Sequence, residues 1–206
     1  MADDGPSTSG PAGRSSLGER RGEDLDVYGP AEDSALLAGE AAEDLAGSAV
    51  SSVLDVGTGS GYVGDRVAEA TGARVVGVDV NPQAARRARE RGLQTVVGDL
   101  VGPFRDGAFD AVAFNPPYLP ETAAEGADDW FGVAVAGGAS GREIIDRFVD
   151  DVGRVLTPDG AVYLLVSSLT GVDAIVERAA DRGFSAVALL DASFPGETLT
   201  VLKLVR

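Results

Sequence analysis

The sequence contains no cysteine and no histidine, and its only lysine is Lys203. Without these side chains the chain cannot form disulfides, zinc sites built from cysteine or histidine, thiol nucleophiles or imidazole acid–base pairs. We therefore expect no metal site in this chain. Any catalysis must use carboxylates, hydroxyls, amides, backbone groups or a bound cofactor.

Positive charge is also scarce, because 33 acidic residues face 16 arginines and one lysine, giving a formal net charge of −16. Such a chain repels phosphate backbones at ordinary salt, which makes nucleic acid an unfavoured partner. Abundant aspartate with almost no lysine is similar to the composition of halophilic proteins, which work in molar salt. The Debye length there is only about 3 Å, so the net charge says less about partners.

Long apolar runs are absent too. None approaches the roughly 18 to 20 residues that span a bilayer, and no basic segment followed by an apolar one opens the chain. We expect a soluble, cytoplasmic protein with no membrane association. Residues 1–22 contain twelve Gly, Pro, Ser or Thr residues and few apolar ones, which predicts a disordered tail. Residues 23–206 then form one domain.

Strands and helices alternate through that domain. The predicted strands are 53–57, 75–80, 93–97, 109–114 and 161–166, followed by two strands after Phe184 that are joined by the Pro195–Gly196 turn. The predicted helices are 34–46, a stretch ending near Thr71, one between Pro82 and Gly92, 142–156 and 172–180. This alternation predicts an α/β fold with a mostly parallel sheet and helices on both faces. The last strand follows a tight turn, so it must run antiparallel to its predecessor.

A glycine-rich segment, Asp55-Val-Gly57-Thr-Gly59-Ser-Gly61, ends the first predicted strand. Glycines there let the backbone turn sharply and approach a ligand at the sheet edge where α/β proteins bind ligands. Gly59, Gly61 and Gly64 also match the dinucleotide-binding fingerprint, but that pattern begins two residues later than the strand end predicts. With Gly57, Gly59 and Gly61 as the working set, the segment resembles the first motif of class I S-adenosylmethionine-dependent methyltransferases.

Carboxylates end the next two predicted strands. Asp79 ends the second, where a carboxylate can accept both ribose hydroxyls of a dinucleotide or of adenosylmethionine. Asp99 follows the third. In the methyltransferase resemblance Asp99 accepts a hydrogen bond from the adenine amino group, and Leu100 donates its backbone N–H. Each aspartate taken singly could instead be a helix cap or a turn residue.

The segment Asn115-Pro116-Pro117-Tyr118 follows the fourth predicted strand and is the most specific motif in the chain. Two consecutive prolines remove two N–H donors and stiffen the backbone, so that carbonyl oxygens point in fixed directions. The side-chain oxygen of Asn115 and the carbonyl of Pro116 can together accept both hydrogens of a planar NH₂ group. The four residues are the predicted substrate-binding set, with Asn115, Pro116 and Tyr118 as predicted catalytic residues. The alternative is a rigid loop that closes the strand.

Further segments complete a resemblance that extends from Asp26 to Val205. The chain is similar to the HemK-type protein glutamine N5-methyltransferases, in particular to the archaeal and eukaryotic branch that acts on class I translation termination factors. The other segments that carry this resemblance are Val27-Tyr28-x-Pro30-Ala31-Glu32-Asp33-Ser34-x-Leu36-Leu37, Ala136-Gly137-Gly138-x-x-Gly141-Arg142-Glu143-x-Ile145-Asp146-Arg147-Phe148 and Gly196-Glu197-Thr198-Leu199-x-Val201-Leu202-Lys203. One departure concerns tryptophan: relatives commonly have it just before Ala-Gly-Gly, whereas this chain has Val135 there and Trp130 five positions earlier.

The resemblance implies S-adenosylmethionine as cofactor, S-adenosylhomocysteine as product, and a Rossmann-like class I methyltransferase fold with strand order 3-2-1-4-5-7-6. In relatives the hydroxyl at the Ser34 position touches the cofactor, and the acidic residues at 55, 79 and 99 contact methionine-side or water-linked groups, ribose and adenine respectively. The implied cofactor-binding residues are Ser34, Asp55, Gly57, Gly59, Gly61, Asp79, Asp99, Leu100 and Asn115.

The resemblance also implies two protein partners. The substrate is the glutamine of a Gly-Gly-Gln loop in a class I peptide chain release factor. A small zinc-binding activator protein pairs with an edge strand, which in this strand order is the segment from Leu93 to Val97. Unpaired N–H and C=O groups at such an edge make strand addition physically reasonable. Zinc would belong to the activator, since this chain has no suitable ligands.

Two other functions remain open from the sequence. An N6-adenine methyltransferase acting on nucleic acid would also use Asn-Pro-Pro-Tyr, because the exocyclic amine of adenine is a planar NH₂ group. A non-catalytic S-adenosylmethionine-binding interaction module would need the glycines and Asp79 but not Asn115.

Overall fold

The computed structural model describes residues 32–118 and 141–206. Seven strands form one sheet in the order β3-β2-β1-β4-β5-β7-β6, which confirms the expected order. The strands are β1 (Ser52–Val56), β2 (Arg74–Asp79), β3 (Gln94–Val97), β4 (Phe109–Phe114), β5 (Leu156–Ser167), β6 (Ser185–Phe194) and β7 (Glu197–Val205). The helices are α1 (Glu32–Leu45), α2 (Tyr62–Thr71), α3 (Pro82–Glu90), α4 (Glu143–Val155) and α5 (Val172–Asp181), with a short 3₁₀ turn at Ser168–Thr170.

Strand direction follows the connections, as predicted. Strands β1 to β5 pair in parallel, because each is reached through a crossover, whereas β7 runs antiparallel to both β5 and β6. Most predicted boundaries differ from the observed ones by one or two residues, but β5 begins at Leu156 rather than at the predicted Ala161. Leu156 leaves α4 directly into the sheet and pairs with Phe109, and the register then shifts before Ala161 pairs with Ala111.

The sheet carries an apolar layer on each face. Helices α1, α2 and α3 cover one face, where Leu37, Val67 and Ala88 are completely buried. Helices α4 and α5 cover the other, where the rings of Phe114 and Phe148 lie 4.6 Å apart between centroids. Helices on both faces are therefore confirmed, and burial of this apolar surface is the main driving force for folding.

Several predictions concern residues outside the described ranges. They include the tail at 1–22, residues 27–31 of the first family segment, Trp130, Val135 and the segment 136–140. Within residues 32–118 and 141–206, no helix combines the length and the apolar character that crossing a membrane requires.

Candidate cofactor and substrate site

The parallel strands β1 to β4 end at one edge of the sheet, and the predicted site residues meet there. Asp55 in β1 is buried, and its Oδ2 accepts hydrogen bonds from the Thr58 hydroxyl at 2.6 Å and from the Gly64 N–H at 3.0 Å. Burial raises the pKa of Asp55 from 3.8 to about 6, against the opposing effect of these two hydrogen bonds. Asp55 thus ties the turn after β1 to the first turn of α2.

The glycine turn itself has the backbone that only glycine adopts readily. Gly57, Gly59 and Gly61 have φ values of 60°, 53° and 81°, all in the left-handed region. Gly64 instead lies inside α2, where a Cβ would come within 3.0 Å of the Asp55 Oδ2. The turn is therefore formed by the glycines of the methyltransferase pattern, and Gly64 serves the packing of α2 on the sheet.

Asp79, at the end of β2, joins two neighbouring loops. Its Oδ2 accepts the Gly59 N–H at 2.9 Å, and its Oδ1 accepts the Asn81 N–H at 2.8 Å. Burial raises the pKa of Asp79, and the N–H groups of Asn81 and Gly59 oppose that rise. Each carboxylate oxygen has a further lone pair, so Asp79 can accept two ligand hydroxyls without releasing the loops.

Asp99 and Leu100 follow β3 at the same edge. The Asp99 carboxylate pairs with the guanidinium of Arg147 on α4, and 55% of the Asp99 side chain is exposed. Leu100 has φ of 48°, the only left-handed residue other than glycine in the described part of the chain. Sequence reasoning placed Asp99 and Leu100 here but did not foresee the arginine.

The Asn-Pro-Pro-Tyr segment lies against the beginning of α1. The Asn115 Nδ2 donates a hydrogen bond to the Ser34 hydroxyl at 3.1 Å. This bond fixes the orientation of the amide and leaves its oxygen, Oδ1, buried and without a hydrogen-bond partner among the described residues. A buried acceptor without a partner is unfavourable, and such an atom in a site indicates a missing donor.

Tyr118 is buried, and its hydroxyl donates to the Asp33 Oδ2 at 3.3 Å. Asp33 also accepts the Ser34 N–H at 2.8 Å through Oδ1. Asp33 therefore connects the residue that orients Asn115 to the residue that ends the Asn-Pro-Pro-Tyr segment. Sequence reasoning missed Asp33 as a site residue. Its position beside Ser34 in the acidic first turn of α1 was the available signal.

Two further residues that sequence reasoning missed, Thr58 and Gly77, hold the glycine turn on β2. The Thr58 N–H donates to the Val78 carbonyl at 3.0 Å. A Cβ on Gly77 would lie 2.8 Å from the Thr58 side chain. Only glycine at position 77 lets Thr58 reach both Asp55 and β2.

We expect Gly77→Ala to lower the free energy of unfolding by about 1 to 3 kcal/mol, because the added methyl group overpacks against Thr58. Urea unfolding followed by circular dichroism measures this. Gly39→Ala is the matched control: Gly39 lies inside α1 with open space around its Cα, so alanine should stabilise the chain by about 0.5 to 1 kcal/mol. Equal stability of the two variants would contradict the packing argument.

The chain is similar to known proteins over most of its length. The methyltransferase domain family matches residues 53–160. A Methanocaldococcus jannaschii protein named protein N5-glutamine methyltransferase MJ0928 is 35% identical, over 88% of this chain and 92% of that protein. Methyltransferase HEMK2 of Homo sapiens is also 35% identical, over 90% of this chain and 92% of that protein.

A solved structure shares both the fold and the sequence pattern. It is the E. cuniculi Mtq2–Trm112 complex, described as responsible for methylation of the eRF1 translation termination factor. Its matching chain has a TM-score of 0.73 and 32% identity, over 88% of this chain and 99% of that chain. This similarity confirms the class I methyltransferase fold. The glycine turn and Asn-Pro-Pro-Tyr meet at one sheet edge, and the relatives match this chain over most of its length. The chain therefore belongs to the HEMK2-type family of protein N5-glutamine methyltransferases.

Proposed function

We propose that this enzyme transfers the methyl group of S-adenosylmethionine to the side-chain amide nitrogen of the glutamine in the Gly-Gly-Gln loop of a class I translation release factor. The observation that carries this proposal is the buried, unpartnered Oδ1 of Asn115. A glutamine amide is a planar NH₂ group and supplies the donor that this oxygen lacks. We place the reaction in the cytoplasm, where such factors act.

The described residues fit the proposed cofactor. Glycines 57, 59 and 61, which are left-handed, have no side chain to keep a ligand away from the backbone of the turn, and the Asp79 carboxylate keeps acceptor capacity for ribose hydroxyls. S-adenosylmethionine, when bound, supplies an activated methyl group on a sulfonium centre. We assign its binding to Ser34, Asp55, Asp79, Asp99 and Leu100 together with the glycine turn.

Asn115 and Pro116 orient the substrate amide. The Asn115 Oδ1 and the Pro116 carbonyl accept hydrogen bonds from its two N–H groups. These bonds align the nitrogen with the methyl group and stabilise the positive charge that develops on the nitrogen as the new C–N bond forms. Ser34 prevents Asn115 from turning, because its hydroxyl accepts the Asn115 Nδ2–H. The chain has no histidine, and we assign the departing amide proton to water.

The test is mass spectrometry of a release-factor domain incubated with the enzyme and S-adenosylmethionine. We expect one methyl group on the glutamine of the Gly-Gly-Gln loop and none on a substrate in which glutamate, which has no NH₂ group, replaces that glutamine. A parallel reaction with DNA tests N6-adenine methylation. Methylated adenine with an unmodified release factor would overturn the proposal, and binding of the cofactor without transfer to either substrate would favour the non-catalytic module.

We also propose that β3 is the strand on which a small zinc-binding activator protein docks. The Gly98 N–H donates to the Asp79 carbonyl, so Gly98 faces β2. Backbone groups alternate in direction along a strand, so Val97 directs its N–H and C=O groups outward, as does Thr95, whose carbonyl accepts a hydrogen bond from Arg89 at 2.9 Å. Val97 is 48% exposed. The opposite edge, β6, has a register shift between Ala188 and Leu190, a feature that hinders strand addition.

We expect Val97→Pro to abolish pairing with a Trm112-type protein while the fold persists, because proline removes the outward N–H and leaves the ladder with β2 intact. Val97→Thr is the control, since threonine keeps the N–H. Size-exclusion chromatography of each variant mixed with the partner measures complex formation. A complex that survives Val97→Pro would show that the partner docks elsewhere.

A further inference from the structure

Helix α4 holds the loop at 98–108, called here the adenine loop because it contains Asp99 and Leu100. Arg147 pairs with the Asp99 carboxylate at the start of this loop. Arg154 donates to the Phe104 carbonyl at 2.6 Å and to the Val101 carbonyl at 3.0 Å. The two arginines are seven residues apart, so they lie two turns apart on the same side of α4. One helix therefore restrains the adenine loop at Asp99, Val101 and Phe104.

The backbone of the adenine loop is strained where these restraints meet. Leu100 adopts a left-handed φ of 48°, which is unfavourable for a residue with a Cβ and persists only where the surroundings determine it. Strain of this kind concentrates at ligand-binding positions. Pro103 packs closely on the backbone at Gly98, where a Cβ would lie 2.3 Å from the Pro103 Cγ.

We infer that Arg147 is a positioning residue that selects for adenine, by holding the Asp99 carboxylate in the orientation that accepts a hydrogen bond from the 6-amino group of the base. This inference rests on the proposed use of S-adenosylmethionine. The Asp99 Oδ2 bonds Arg147, and a carboxylate has about four acceptor sites, so acceptor capacity remains for the base. Without the guanidinium an aspartate as exposed as this one would sample several rotamers.

The size of the effect follows from the exposure of the pair. The side chains of Arg147 and Asp99 are 58% and 55% exposed, and exposed ion pairs change equilibria by at most about fivefold. Loss of Arg147 should therefore weaken binding of an adenine ligand by about three- to fivefold. A ligand without the 6-amino group makes no hydrogen bond to Asp99 and should be insensitive to the same change.

The experiment is isothermal titration calorimetry with two probes, S-adenosylhomocysteine and its 6-deamino analogue, in which hydrogen replaces the amino group. We expect Arg147→Ala to weaken binding of S-adenosylhomocysteine only. The dissociation constant of the analogue divided by that of S-adenosylhomocysteine should then fall by about three- to fivefold, with partial recovery in Arg147→Lys. Arg66→Ala is the matched control, because Arg66 and Glu69 form a pair of similar exposure, 56% and 60%, on α2. In an Asp99→Asn background the Arg147→Ala change should have no further effect.

Equal weakening of both probes by Arg147→Ala would show a general effect on the fold or on charge and would overturn the inference. The inference would also be overturned if Arg147→Ala left the ratio of dissociation constants unchanged, or if it had its full effect on binding in the Asp99→Asn background. Failure of the proposed function gives a different result, namely no binding of S-adenosylhomocysteine by the unmodified chain. If the chain binds that ligand but methylates no release factor, the role of Arg147 is still tested by the ratio.

Discussion

Asn115→Ala should lower kcat for methylation of a Gly-Gly-Gln substrate by about 10²- to 10³-fold, the loss typical when one group that orients and polarises the reacting atoms is removed. The alanine variant loses the buried Oδ1, so the substrate amide has no fixed acceptor. Initial rates with a radiolabelled methyl donor, at saturating substrate, measure the effect. The melting temperature of the variant should stay within a few degrees, because the Asn115 side chain makes one hydrogen bond, to Ser34.

Two further variants separate the orientation of the Asn115 amide from the presence of an acceptor oxygen at position 115. Ser34→Ala keeps the acceptor but frees the amide to turn, so we expect a smaller loss of kcat, about tenfold. Asn115→Asp keeps an acceptor oxygen and should be more active than Asn115→Ala. If Asn115→Ala keeps more than a tenth of the original kcat, the amide is oriented by other groups and the proposed role of Asn115 is wrong.

The second large effect concerns the stability of the chain as a function of pH. Burial raises the pKa of Asp55 to about 6 in the folded state from an ordinary value of 3.8. The folded chain therefore binds a proton more tightly there than the unfolded chain does, and this contribution to stability is complete below pH 3.8. It is lost as the pH rises through 6, and the loss amounts to about 3 kcal/mol above pH 7.

Asp55→Asn should remove this dependence, because the amide is neutral at every pH. Between pH 4.5 and pH 8, at constant ionic strength, the difference in the free energy of unfolding between the variant and the original chain should change by about 2 kcal/mol in favour of asparagine. Urea unfolding at a series of pH values measures it.

Asp110→Asn is the matched control for Asp55→Asn. Burial tends to raise the pKa of Asp110, but hydrogen bonds from Ser51 and Ser52 outweigh it and lower that pKa. Asparagine at 110 should thus be relatively less favourable at pH 8 than at acid pH. The stability difference between variant and original chain should thus change with pH in opposite directions at positions 55 and 110. The same direction at both positions would contradict the raised pKa of Asp55 or the lowered pKa of Asp110.

The order of the elements was predictable because it depends on local patterns. Apolar segments alternating with amphipathic ones imply crossovers, and crossovers imply parallel strands. The boundary between α4 and β5 was not predictable from local patterns, because Leu156 starts the strand by pairing with Phe109, 47 positions earlier in the chain. A residue that can end a helix or begin a strand is assigned by its neighbour in the sheet rather than by its own preference.

The sequence by itself determined which chemistry this protein can perform. It excluded thiol and imidazole chemistry and zinc sites built from cysteine or histidine, and it placed glycines, aspartates and Asn-Pro-Pro-Tyr at strand ends, where a parallel sheet must bring them to one edge. Only the tertiary structure decided how these groups are held. Asp33 meets Tyr118, Ser34 meets Asn115 and Arg147 meets Asp99 across separations of 85, 81 and 48 residues. Contacts between residues so far apart arise from the packing of helices on the sheet, and no local pattern encodes them.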